Sequence, residues 1–241
     1  MEVGRSPSKT ADVGGSRTLL RLTALVALVM SVLTWVPASA GPPVVPSTSV
    51  SAYFFGDSLM AGTGAQPKRP VMARVAAAQL GWEVEVDAWG GTGFTTTGDA
   101  TPGYLDRLQR PGALTGTYDV VLIAGGTNDG RIGSSPEQVQ AALREVVALV
   151  RERQPQATVV LMGAYDPPAH GRPVPHRAVV DAALQEAAGQ LGLPFLSPIS
   201  GGWSADQPAS FLSPDGLHPT AYGYGVMGTR LAQALQELLA S

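Results

Sequence analysis

Short apolar runs separated by amphipathic stretches set the rhythm of the chain. Residues 52–55 (Ala-Tyr-Phe-Phe) read as a β-type run that stops at Gly56-Asp57-Ser58. Residues 71–80 predict a helix, with Pro70 near its start and Gly81 placed to cap its end. Residues 82–88 alternate, with Val84 and Val86 on one face, and predict a second strand. A Gly/Thr-rich loop over 90–98 follows. Residues 118–124 are nearly all apolar, as expected of a strand covered on both faces, and end in Gly125-Gly126-Thr127-Asn128-Asp129, read as a loop. Over 136–153, Val139, Leu143, Val146, Val147 and Val150 recur at helical spacing with charged residues between. A buried strand at 157–162, a helix at 179–191 and a short strand at 193–196 follow. A Pro/Ser/Gly-rich stretch then leads to Asp215-Gly216-Leu217-His218. A closing helix spans about 220–239, with Gly223, Gly225 and Gly228 weakening its first turns.

Strands alternating with helices imply βαβ units, and so an α/β fold with a parallel sheet and helices on both sides. No internal repeat and no second folded domain is visible. Ligands of such folds bind at the carboxyl ends of strands. The polar clusters at Asp57-Ser58, Gly90 and Asn128 each follow a predicted strand directly, so all three are expected at that edge.

The first forty residues break the pattern. Arg5, Lys9, Arg17 and Arg21 precede an apolar run over 22–36, followed by Pro37 and the small-x-small sequence Ala38-Ser39-Ala40. This is the layout of a secretory signal peptide, with cleavage expected after Ala40. The run is about 15 residues, short of the roughly 20 a spanning helix needs. An uncleaved N-terminal membrane anchor is the alternative. Residues 41–51, with Pro42, Pro43 and Pro46, read as an extended leader before a folded domain at 52–241. The expected location is therefore secreted, periplasmic or cell-envelope.

Composition narrows the chemistry. The chain has 241 residues and a formal net charge of −3 without long runs of either sign, which argues against a nucleic-acid-binding surface. It has no cysteine, which excludes disulfides, thiolate catalysis and Cys-ligated zinc or iron–sulfur clusters. A monomer without cofactor or metal is expected. Asp57 and Asp129 could be taken for a metal pair, but no clustered His or Cys accompanies them. The glycines of 90–98 do not have dinucleotide-binding spacing.

Ser58 is the candidate nucleophile, and a serine hydroxyl needs an adjacent base and a group to hold that base. Of the three histidines, His170 and His176 lie in a Pro-rich segment, whereas His218 follows Asp215 by three residues. On a tight turn that carboxylate can accept the imidazole Nδ1–H and leave Nε2 facing the serine. Donors for a developing oxyanion are available in the Ser58 and Gly90 backbone N–H groups and the Asn128 side-chain amide. Each piece also has a plain reading: a turn after a strand, a flexible glycine connection, loop chemistry at Asn128 and a helix-capping turn at Asp215. Their shared order and placement on strand-to-loop junctions favour chemistry over coincidence.

The sequence resembles the SGNH (GDSL-type) hydrolase superfamily, named for its Ser, Gly, Asn and His blocks. Gly56-Asp57-Ser58-Leu59 matches the first block, Gly90 the second, Gly126-Thr127-Asn128-Asp129 the third and Asp215-Gly216-Leu217-His218 the last. The resemblance covers essentially 52–240. It implies a flavodoxin-like three-layer α/β/α sandwich around five parallel strands. It also implies Ser58 as nucleophile, His218 as general base and acid, Asp215 as its orienter, and Ser58, Gly90 and Asn128 as the oxyanion hole. Asp57 and Asp129 match motif positions and are read as organising the loops. Many relatives carry Asn before the second-block glycine, where this chain has Trp89. Trp89 either shapes an aromatic wall with Phe94 or packs under the loop.

The implied function is a secreted serine esterase working through an acyl-enzyme on small-molecule, lipid or acylated-glycan esters. An acyltransferase using the same acyl-serine is an alternative, as is a non-catalytic cell-wall or carbohydrate-binding protein on this fold. Apolar Trp89, Phe94, Phe211 and Leu212 are candidate acyl-chain contacts. The segment 165–177 is a candidate substrate-selecting rim.

Overall fold

The computed structural model describes residues 49–167 and 175–240; the expected signal segment, residues 41–48 of the leader and His170 lie outside them. Five parallel strands, β1 (Ser51–Gly56), β2 (Glu83–Ala88), β3 (Val120–Ala124), β4 (Thr158–Met162) and β5 (Phe195–Leu196), form one sheet in the order β2-β1-β3-β4-β5. Strand β1 starts one residue inside the segment read as leader. In register, Ala52 lies beside Val84 on one side and Val120 on the other. The order reverses direction between β1 and β3, the switch point where open α/β sheets bind ligands.

Alternation along each strand divides the interior in two. Ala52, Phe54, Leu122 and Val160 pack on one face with α1 (Val71–Leu80) and α6 (Ala221–Leu239). Tyr53, Phe55, Ile123 and Leu161 pack on the other with α2 (Tyr104–Gln109), α4 (Pro136–Arg153) and α5 (Pro175–Leu191). The result is the three-layer flavodoxin-like sandwich.

Helix α4 follows the apolar spacing and starts at a capping box, where Ser135 accepts from the Gln138 N–H and the Gln138 side chain accepts from the Ser135 N–H. The glycines of α6 do not break it. A Cβ at Gly228 would lie 2.7 Å from Val75 Cβ and 2.8 Å from the Met72 carbonyl oxygen, so glycine is what lets α6 lie close against α1.

Three expectations need correction. Helix α5 begins at Pro175, four residues before the predicted start. Helix α2 lies in a stretch given no element. The stretch read as a loop at Asn128 is instead the first turn of α3 (Thr127–Ile132), entered through Gly126 at φ 105°. Both missed helices have six residues, too few for an apolar period to show.

Candidate active site

Strand β1 delivers Ser58 at its carboxyl end on a tight turn, in which the Ala61 N–H donates to the Asp57 carbonyl at 3.0 Å and the Thr63 N–H to the Ser58 carbonyl at 3.0 Å. The Asp57 side chain caps this turn by accepting the Leu59 N–H at 2.9 Å. The Ser58 N–H has no acceptor among the described residues, and neither has the Gly90 N–H. Gly90 lies directly against Ser58: a Cβ there would sit 3.5 Å from Ser58 Cβ and 3.9 Å from its Cα.

The segment 211–220 brings the histidine. It is closed by hydrogen bonds from the Ser213 N–H to the His218 carbonyl and from the Thr220 N–H to the Phe211 carbonyl, both 2.8 Å. Inside it, Asp215 Oδ1 accepts from the Leu217 N–H, the His218 N–H and the Ser213 hydroxyl at 2.9, 2.9 and 2.8 Å. Asp215 Oδ2 lies 2.8 Å from His218 Nδ1, and His218 Nε2 lies 2.9 Å from Ser58 Oγ. With the proton on Nδ1 donated to Asp215, Nε2 is free to accept the serine hydroxyl. Partial burial opposes the charge on Asp215, but the His218 ring, the two N–H groups and the Ser213 hydroxyl outweigh it and hold the carboxyl well below the usual carboxylate range.

The two segments meet at Gly64, which sequence reading passed over. At φ 92°, it faces the histidine loop so closely that a Cβ would lie 2.8 Å from both His218 Cβ and the Pro219 carbonyl oxygen. The clue available was a second glycine two residues after Gly62, just past the Ser58 turn.

Asn128, on α3, comes alongside through its amide. Nδ2 donates to the Thr92 carbonyl at 2.9 Å and makes a longer 3.4 Å contact with Asp57 Oδ2. Asp129 ties the Gly-rich loop to α3. Its Oδ1 accepts from the Thr95 N–H at 2.8 Å and the Thr95 hydroxyl at 2.7 Å, and its Oδ2 from the Phe94 N–H at 3.2 Å. Both acidic side chains are therefore spent on loop N–H and O–H groups. Among the described residues no group of three or more His, Cys, Asp or Glu could hold a metal ion. Burial, reinforced by Asp129 and opposed by the Leu59 N–H and Arg107, pushes the Asp57 carboxyl up to about 7.

Arg107 was missed altogether. Its side chain is 0% exposed. It donates to the Gly56 carbonyl at 2.7 Å, Thr92 Oγ1 at 2.8 Å, and the Asp87 carboxylate and carbonyl at 2.7 and 3.1 Å. Its guanidinium lies 4.1 Å from the centre of the Phe55 ring. One cation thus ties together the ends of β1 and β2 and the Gly-rich loop.

Residues 54–226 match the model of the GDSL-like lipase/acylhydrolase family. The chain belongs to that family. It is 28% identical over 221 residues to the GDSL lipase Rv0518 of Mycobacterium tuberculosis, covering 89% of this chain and 93% of that protein. Its fold is that of the lipase/acylhydrolase from Enterococcus faecalis, with a TM-score of 0.61 and 21% identity over 78% of this chain and 96% of that one. A family two carbohydrate esterase from Clostridium thermocellum, in complex with cellohexaose, has a TM-score of 0.63 and 18% identity over 80% of this chain and 66% of that one. The protein is an ester-hydrolysing enzyme of the GDSL family.

Within this GDSL enzyme the expected aromatic wall is only half present. Phe94 is buried against the Tyr104 ring, 4.9 Å between centres, and Phe211 is also core. Trp89 is 37% exposed, with the Arg110 guanidinium 5.3 Å from its ring. The described ends of the expected rim are interior as well: Tyr165 is buried, and Arg177 is buried in an ion pair with Asp166 at 2.8 Å. Residues 168–174 of that rim lie outside the described residues. His176 is turned to the Ser134 carbonyl, 2.7 Å away. Among the described residues no helix is long and apolar enough to cross a membrane.

Proposed function

We propose that the enzyme hydrolyses esters through an acyl-enzyme on Ser58, and that it does so outside the cytoplasm. The observation that carries this reading is the hydrogen-bonded chain from Ser58 Oγ through His218 to Asp215, at 2.9 and 2.8 Å. Ser58 Oγ attacks the ester carbonyl carbon while His218 Nε2 takes the hydroxyl proton. The developing oxyanion takes the unpaired N–H groups of Ser58 and Gly90 and the Asn128 amide hydrogen that makes only a long contact with Asp57. His218 then gives its proton to the leaving alcohol. A water activated by His218 attacks the acyl carbonyl, releases the acid and returns the hydroxyl to Ser58. Asp215, ionised across the working range, stabilises the imidazolium formed in both halves.

The substrate class is a small-molecule or carbohydrate ester. The carbohydrate esterase among the structural neighbours supports this, as does the exposed indole of Trp89 beside Gly90, which offers a face to an acyl or sugar moiety. Export is supported by the layout of residues 1–40, and the amino terminus of protein recovered from the culture medium is expected to begin at Gly41.

The experiment is the hydrolysis of short p-nitrophenyl esters by Ser58→Ala and His218→Ala. Each loses at least about 10³-fold in kcat/KM, and the double variant loses little more than either alone, because the two act as a unit. Activity surviving in Ser58→Ala would end the proposal.

A further inference from the structure

The loop between β2 and α2 contains a buried hydroxyl that the mechanism above does not use. Thr92 is 0% exposed. Its hydroxyl donates to the Trp89 carbonyl at 2.6 Å and accepts from Arg107 Nη1 at 2.8 Å. Its own carbonyl accepts from Asn128 Nδ2 at 2.9 Å.

The Trp89 carbonyl belongs to the same peptide unit as the Gly90 N–H. A trans peptide is planar, so its C=O and N–H point in opposite directions, and holding one aims the other. Gly90 has no side chain with which to hold this peptide from the other side. The Thr92 hydroxyl does so from beneath, and the guanidinium donating to it polarises the O–H and strengthens its grip. Through its carbonyl, Thr92 also engages one of the two Asn128 amide hydrogens, leaving the other with only its long contact to Asp57 Oδ2.

We propose that Thr92, backed by Arg107, is the positioning residue of the oxyanion hole: one side chain and its own carbonyl aim two of the three donors. This rests on the reading of Ser58 as nucleophile. Thr92 touches neither substrate nor the reacting atoms. It acts by fixing the donors before charge develops, so its effect falls on the transition state and not on substrate binding.

The test is steady-state hydrolysis of a short p-nitrophenyl ester by the full chain carrying Thr92→Val or Thr92→Ser, each checked for folding by circular dichroism. Thr92→Val removes the hydroxyl at nearly constant volume. It lowers kcat about 10- to 100-fold, somewhat less than loss of an entire donor, with KM within about 2-fold of the parent. Thr92→Ser, which keeps the hydroxyl, recovers most of the rate. Affinity for an alkyl boronic acid, which forms a tetrahedral adduct on the serine, falls in Thr92→Val by the same factor as kcat. Should Thr92→Val not fold, Thr92→Ala removes the hydroxyl without crowding the guanidinium and carries the same expectation. Parent-like kcat in either folded variant overturns the proposal, as does Thr92→Ser falling as far as Thr92→Val. Ser58→Ala separates the two readings. If it remains active, the nucleophile assignment has failed; if it is inactive while Thr92→Val is fully active, only the positioning role has.

Discussion

The two halves of the proposed active site are built by opposite means. On the side proposed to hold the oxyanion, Arg107, Thr92, Asn128, Asp57 and Asp129 are buried, and their hydrogen bonds join segments far apart in sequence. On the histidine side, the Asp215 side chain is 47% exposed, and its partners lie within three residues of it. The first half is held by the fold and the second by its own turn. Damage to the first should cost stability and rate together, whereas damage to the second should cost rate alone.

The sharpest way to break this comparison sets Asp215→Asn against Arg107→Met. Asp215→Asn keeps an oxygen to cap the Leu217 and His218 N–H groups but loses the charge and mispairs the imidazole. We expect kcat to fall about 10²- to 10⁴-fold with unfolding free energy within about 1 kcal/mol of the parent. Arg107→Met takes the buried cation from Asp87 Oδ1, leaving that carboxylate the Tyr53 hydroxyl and the more distant Arg110, and also removes a donor from the Gly56 and Asp87 carbonyls and from Thr92 Oγ1. It is expected to cost about 3–5 kcal/mol in denaturant unfolding along with activity. Equal stability losses in the two variants would remove the distinction.

Gly64→Ala probes the seam between the halves. It places a Cβ at φ 92° against His218 and Pro219. An expected loss of about 1–3 kcal/mol accompanies a fall in kcat, because relief of the clash moves the imidazole from Ser58. A variant with unchanged rate and melting temperature would mean that the loop docks elsewhere.

A smaller effect comes from Asp57, whose folded carboxyl titrates near 7 against 3.8 for an ordinary one. Between those values the folded state holds a proton that the unfolded state has released, so this group makes stability fall as pH rises from about 4 to about 7. Asp57→Asn removes that slope. Its melting temperature, compared with the parent, should gain by a few degrees between pH 4 and pH 8. A difference that does not change with pH would contradict the assignment.

The same division governs what sequence could reveal. The strands and α4 were legible because a half-buried or fully buried element must repeat its apolar positions. Ser58, Gly90, Asn128, Asp215 and His218 were legible because their residue types and order carry chemistry, and the structure brings them to one edge of the sheet. Helices α2 and α3 were not, being too short to show a period, and Gly126-Thr127-Asn128-Asp129 looks locally like a turn. Arg107 was hidden for another reason. A charged residue in sequence reads as surface, and only the meeting of β1, β2 and the glycine loop supplies the acceptors that let it be buried. Thr92 was in plain view inside Gly90-Gly91-Thr92-Gly93, but nothing local says that its hydroxyl reaches back to the Trp89 carbonyl.

The central claim is tested most directly by mass spectrometry of the enzyme after reaction with an alkyl fluorophosphonate, followed by peptide mapping. The account predicts one adduct per chain, on Ser58, appearing in step with the loss of esterase activity and absent from Ser58→Ala. Full inactivation with the adduct on another residue, or an unlabelled Ser58 in an active enzyme, would contradict it.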